Sequence, residues 1–95
     1  MTLDDLAATI ASRKNADPAS SWTAKLLSQG VEKCAEKFGE EAVEAIIAAV
    51  KADPDNLRDE AADVLYHLLV LLAAADVPLS DVMDRLAQRQ GTSGI

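Results

Sequence analysis

Two acidic pairs carry the most chemical information in this chain of 95 residues: Glu41 with Glu44, and Glu60 with Asp63. Members of a pair stand three residues apart, so on a helix their carboxylates share a face. Between the pairs lies Asp53-Pro54-Asp55, where proline removes a backbone donor and disfavours helix in the residue before it. A helix that stops there and restarts makes a tight helical hairpin, and its antiparallel arms let the four carboxylates face a common point. Carboxylate oxygens are hard ligands. With no cysteine and at most His67 nearby, the cluster suits magnesium first and manganese second, better than zinc or copper. Magnesium keeps several waters and shares its coordination with substrate phosphates, so such a site would grip a pyrophosphate linkage and orient a water.

Glutamate is also a good helix former, and most acidic residues simply occupy a solvated face. Position argues the other way. At about 3.6 residues per turn, Glu41 falls beside Cys34, Phe38 and Ala45, at the edge of an apolar stripe. Glu60 and Asp63 open directly into the most apolar segment of the chain, Val64 to Ala75. Uncompensated carboxylates so close to a core are costly, which calls for a cation or a basic partner. Spacing alone leaves the metal site and the solvated face both open.

The elements that must position these acids are helical. Nearly half the residues are hydrophobic but few are aromatic, and the alanine and leucine content favours helix over sheet. Thr2 and Asp5 form a capping box for a first helix that fades near Ser12. Ser20 or Ser21 can cap a stretch from Trp22 to Ser28, and Gly30 punctuates it. Val31, Ala35, Phe38, Ala42, Ala45, Ile46 and Ala49 then return at helical spacing to about Lys51. A second long helix is expected from about Asn56 to Ala75, and Ser80 can cap a last one over Asp81 to Gln90. Gly91 to Ile95 reads as a flexible tail.

The expected fold is all-α: an antiparallel helical hairpin with short flanking helices, one domain over residues 1–95. The segment after Val64 is apolar around most of its circumference and needs cover on several sides. One short chain supplies little, so a second subunit should complete the structure as a helical bundle. The formal net charge of -7 repels a polyphosphate backbone, which makes nucleic acid an unfavoured partner. No apolar run reaches the ~20 residues a membrane span needs. The absence of a leader pattern and the single cysteine, Cys34, fit a cytoplasmic protein.

Lys37-Phe38-Gly39-Glu40-Glu41-Ala42-Val43-Glu44 and Glu60-Ala61-Ala62-Asp63-Val64-Leu65-Tyr66-His67-Leu68-Leu69-Val70-Leu71-Leu72 resemble the signature segments of the phosphoribosyl-ATP pyrophosphatases, within the MazG-like all-α nucleotide pyrophosphohydrolases. Ser21 to Leu27 and Arg89 to Ile95 resemble the same family, although Trp22 stands where tyrosine is usual. The resemblance implies hydrolysis of phosphoribosyl-ATP to phosphoribosyl-AMP and pyrophosphate in histidine biosynthesis, by a magnesium-dependent homodimer or larger assembly. It implies Glu41, Glu44, Glu60 and Asp63 as metal ligands. Lys37, and with less support Lys33 and Arg89, become candidates for substrate phosphates. Glu40 or Glu41 is the candidate general base. Two other functions compete: a housekeeping pyrophosphohydrolase for ordinary nucleoside triphosphates, and a non-catalytic helical dimerisation module. His67, one turn past Asp63, reads as a core histidine hydrogen-bonded to a neighbour rather than as a metal ligand, with an outer bond to Asp63 favoured over direct coordination.

Overall fold

The computed structural model describes every residue except Ser93, and among the described residues it contains five helices and no strand. They are α1 (Leu3–Ser12), α2 (Trp22–Ser28), α3 (Val31–Val50), α4 (Pro54–Ala74) and α5 (Leu79–Arg89). The all-α expectation holds, with a long α3–α4 hairpin at its centre. The tail expected over Gly91 to Ile95 includes Ser93, which lies outside the described residues.

Local chemistry explains most of the boundaries. Thr2 Oγ1 accepts from the Asp5 amide while Asp5 returns a bond to the Thr2 amide, closing the capping box. Ser21 accepts from the Ala24 amide and starts α2. Gly30 precedes α3 at φ 90, a conformation that L side chains avoid.

The hairpin turn satisfies both helix ends in three residues. Asp53 N–H donates to Ala48 O at 3.1 Å and Ala52 N–H to Ala49 O at 3.1 Å, the paired bonds of a Schellman ending. Ala52 takes the left-handed position at φ 56, where glycine would be unstrained. Asp53 then accepts from the Asn56 amide and caps α4, with Pro54 in its first turn. The helix therefore begins at Pro54, two residues before the expected Asn56, because a proline at the first helical position has no amide to satisfy.

At the far end of α4 the same ending recurs, with Val77 N–H on Leu72 O at 2.9 Å. Lys14 reaches across from the loop after α1 to Ala73 O and to the Asp76 carboxylate. α5 begins at Leu79 behind Pro78 and has no side-chain cap, so Ser80 lies inside the helix and does not cap it. It leaves α4 at 112° and packs lightly on the rest. No single helix among the described residues is long and apolar enough to cross a membrane.

Ile10, Leu26, Cys34, Leu69 and Val70 form the central cluster, so α1 and α2 close over the hairpin from one side. The buried face of α3 runs through Cys34 and Ala48. The expected α3 stripe is only half right: Phe38, Ala42 and Ala45 are partly buried, whereas Val31, Ala35, Ile46 and Ala49 are exposed. α3 carries apolar residues on several sides, and only the positions facing α4 and α2 are sealed. The uncovered apolar surface is greatest on the second half of α3, where Val43 is 54%, Ile46 62% and Val50 81% exposed, with Leu65 of α4 at 44%.

The turn makes two opposite predictions for stability. Ala52→Gly should raise the unfolding free energy by about 1 kcal/mol by relieving the left-handed strain. Asp53→Ala should lower it by about 1 kcal/mol through loss of the cap. Urea unfolding followed by circular dichroism checks both, and effects of the same sign would contradict the turn geometry.

Candidate metal centre

The carboxylates come from facing sides of the hairpin. Glu41 sits on the α3 flank nearest α4, half-buried, while Glu60 and Asp63 lie a turn apart on α4. Glu41, Glu60 and Asp63 each offer one oxygen, and these oxygens all lie within 4.8 Å of one another. Such separations bring all three within reach of a single ion. Glu44, the fourth expected ligand, is exposed and stands outside this trio, but it bears on Glu60.

Glu60 is the strained member. Its carboxyl is pushed up from an ordinary 4.5 to about 7, first because its protonated form bonds to Glu44, then by burial, then by Glu41. Its Oε2 is buried with no hydrogen-bond partner. A buried orphan oxygen beside two further acids is the donor chemistry that a hard divalent cation satisfies. The residues present therefore fit magnesium or manganese, which Glu41, Glu60 and Asp63 would hold, with Glu44 bearing on Glu60.

The basic residues stand beside the acids on α3. Lys33 pairs with Glu36 at 3.1 Å and Lys37 with Glu40 at 3.3 Å. Lys37 thus binds Glu40, rather than the Glu41 that a one-turn spacing also allows, and Glu41 stays free for the trio. Arg89 occupies the last turn of α5 in a shallow groove with Val77, Asp81, Val82, Arg85 and Leu86, and none of the site's carboxylates lines it.

Two neighbours escaped sequence reasoning. Thr23 and Tyr66 share a hydroxyl–hydroxyl bond at 2.5 Å, which ties α2 to α4 one turn beyond Asp63. His67 is buried, edge-on to the Tyr66 ring at 5.0 Å, and its Nδ1 has no partner. The expected bond from His67 to Asp63 is not made. Trp22, which the sequence places as a packing residue at a helix start, is instead 53% exposed with the Lys25 ammonium 5.8 Å from its ring centre.

The sequence pattern described as phosphoribosyl-ATP pyrophosphohydrolase matches residues 3–90. The chain belongs to that family. Among its relatives, a phosphoribosyl-ATP pyrophosphatase from Roseobacter denitrificans is 75% identical over 95 residues, covering 100% of this chain and 90% of its own length. One from Jannaschia sp. is 72% identical over 93 residues, covering 98% of this chain and 91% of its own length. One from Cereibacter sphaeroides is 70% identical over 93 residues, covering 98% and 90%. The family match spans both arms of the hairpin and every acid of the trio.

The raised Glu60 carboxyl gives the metal-free protein a defined pH response. A carboxyl held above its unfolded value stabilises the fold fully below about 4.5 and loses that contribution as pH rises through about 7. A cation takes over the proton's role above that range. Thermal melting of the metal-free chain should therefore fall between pH 5 and pH 8, and magnesium should restore more at pH 8 than at pH 5. An equal gain from magnesium at both values would contradict the site.

Proposed function

We propose that this chain hydrolyses phosphoribosyl-ATP to phosphoribosyl-AMP and pyrophosphate in histidine biosynthesis, with magnesium held by Glu41, Glu60 and Asp63 and supported by Glu44. The observation that carries the reading is the convergence of three carboxylate oxygens within 4.8 Å of one another, one of them from Glu60, whose Oε2 is buried and unpartnered. The choice of substrate rests on kinship with the phosphoribosyl-ATP pyrophosphatases.

When bound, the cation supplies neutralising charge on the phosphate oxygens and acidifies a water. The chain's own residues do the rest. Lys37 and Lys33, on the flank of α3 that also carries Glu44, bind phosphate oxygens once released from Glu40 and Glu36. A water attacks between the first two phosphates, the bond to the departing pyrophosphate breaks, and a carboxylate takes the water's proton. Glu40 suits that task better than Glu41. Its oxygens are not among the three that converge, and it stands on the turn of α3 next to the trio, within 3.3 Å of the Lys37 ammonium. Nothing within one chain supports a phosphate role for Arg89.

The working form is a homodimer or larger assembly. Val43, Ile46, Ile47 and Val50 leave an apolar strip of α3 open to water, continuous with the flank that carries Glu44. A second copy seated on that strip would cover it and desolvate the rim of the acids. Sedimentation should give a mass above the 10.1 kDa of one chain, and Ile46→Glu should shift it toward the monomer with loss of activity.

Pyrophosphate release from phosphoribosyl-ATP and from ATP, each with magnesium, tests the substrate; a preference for ATP would remove the assignment. Glu60→Gln and Asp63→Asn should lower kcat/KM by about 100-fold or more, since several kcal/mol of transition-state stabilisation depend on the cation. Glu40→Gln should lower kcat by about 100-fold while leaving magnesium affinity intact. Near wild-type turnover in Asp63→Asn at saturating magnesium would be incompatible with this site.

A further inference from the structure

His67 is the one polar residue in the buried core of the described chain, at 8% exposure, and its Nδ1 is completely enclosed without a hydrogen bond. An enclosed imidazole nitrogen with no partner is costly, so a purely structural role would be filled better by phenylalanine or leucine. Among the described residues only two side-chain atoms share this condition, His67 Nδ1 and Glu60 Oε2. They belong to one side of one helix. At about 100° per residue, His67 falls between Glu60 and Asp63 around the α4 axis, one turn beyond Asp63 and two beyond Glu60.

The ring is also braced. Tyr66 meets it edge-on at 75°, and the Tyr66 hydroxyl is fixed by Thr23 of α2. Its nearest acid along the helix is Asp63, four residues earlier, a spacing at which side chains meet. Asp63 gives one oxygen to the trio, which leaves its second free to accept a bond.

We propose that His67 is a positioning residue for the metal centre: when the cation is bound, its Nδ1–H donates to the free carboxylate oxygen of Asp63, and the Thr23–Tyr66 pair braces the ring. The inference rests on the metal reading above. It gives both orphaned atoms a partner. The cation satisfies Glu60, and drawing Asp63 into fixed coordination satisfies His67. Carboxylates that bind metals are held by such outer bonds, and losing one typically costs 10- to 100-fold in affinity.

His67 is the chain's only histidine, so nitrogen-15 labelling of histidine gives one unambiguous imidazole to follow. On titration with magnesium alone, the Nδ1 resonance should shift and its proton should become protected from exchange. His67→Phe, which keeps the ring volume, should raise the half-saturating magnesium concentration about 10- to 100-fold, with a smaller loss of kcat at saturating magnesium. A wild-type chain that takes up no magnesium overturns the metal centre and this inference together. A wild-type imidazole spectrum unchanged at magnesium saturation, or a His67→Phe chain with a wild-type magnesium midpoint, overturns the role of His67 alone. If His67→Phe fails to fold, the imidazole spectrum of the wild type decides.

Discussion

Mutual repulsion among carboxylates on a partly desolvated face is the constraint on which this structure turns. Like charges a few ångströms apart repel one another, and the repulsion grows as the surrounding dielectric falls. Glu41, Glu60 and Asp63 hold oxygens within that range, with Glu44 pressing on Glu60. The crowding raises the Glu60 carboxyl to about 7. The rest of the fold must hold the acids together regardless, or they would separate and hydrate.

The hairpin supplies that restraint. Its turn saturates the last carbonyls of α3 and the first amides of α4 within Lys51 to Asp53, leaving little freedom to slide one arm along the other. A one-residue slip would swing Glu60 and Asp63 away from Glu41 by about a quarter of a turn. Behind the acids, Ile10 and Leu26 from α1 and α2 seal against Leu69, Val70 and Cys34. Cys34 contributes as a buried apolar group whose thiol donates to Leu26 O at 3.3 Å, and burial pushes its ionisation upward. The short helices thus clamp the hairpin on the side opposite to its uncovered face.

The features legible in the sequence are those whose causes are short-range. The capping box at Thr2, the Ser21 cap and the Asp53-Pro54 break each involve atoms within a few residues; the first two stand where expected, and the break differs only in that Pro54 opens α4. Ser80 fails as a cap because Pro78 already presets the backbone for α5. The buried stripe of α3 was legible only in part: an alanine-rich helix offers apolar residues in several directions, and burial is decided by which ones meet α4. The acidic pairs were visible from spacing. That three of them meet while Glu44 stays on the flank depends on the rotation of one helix against the other, which spacing does not encode. The orphaned His67 nitrogen was invisible for the same reason, since i to i+4 spacing permits a bond to Asp63 without requiring one.

The uncovered strip of α3 bears on the chemistry as well as on assembly. Ile47 lies one turn beyond Glu44, and Val43 lies beside it, so apolar surface and an acid share one edge. In the proposed dimer, covering the strip would withdraw water from that edge and lower the dielectric around the carboxylates. Each pairwise repulsion grows as the dielectric falls, and so does the attraction of every carboxylate for a cation. With three acids facing one divalent ion, the attractive terms outweigh the repulsive ones provided the geometry is held. Assembly would therefore disfavour the empty site and favour the loaded one, coupling magnesium affinity to the oligomeric state.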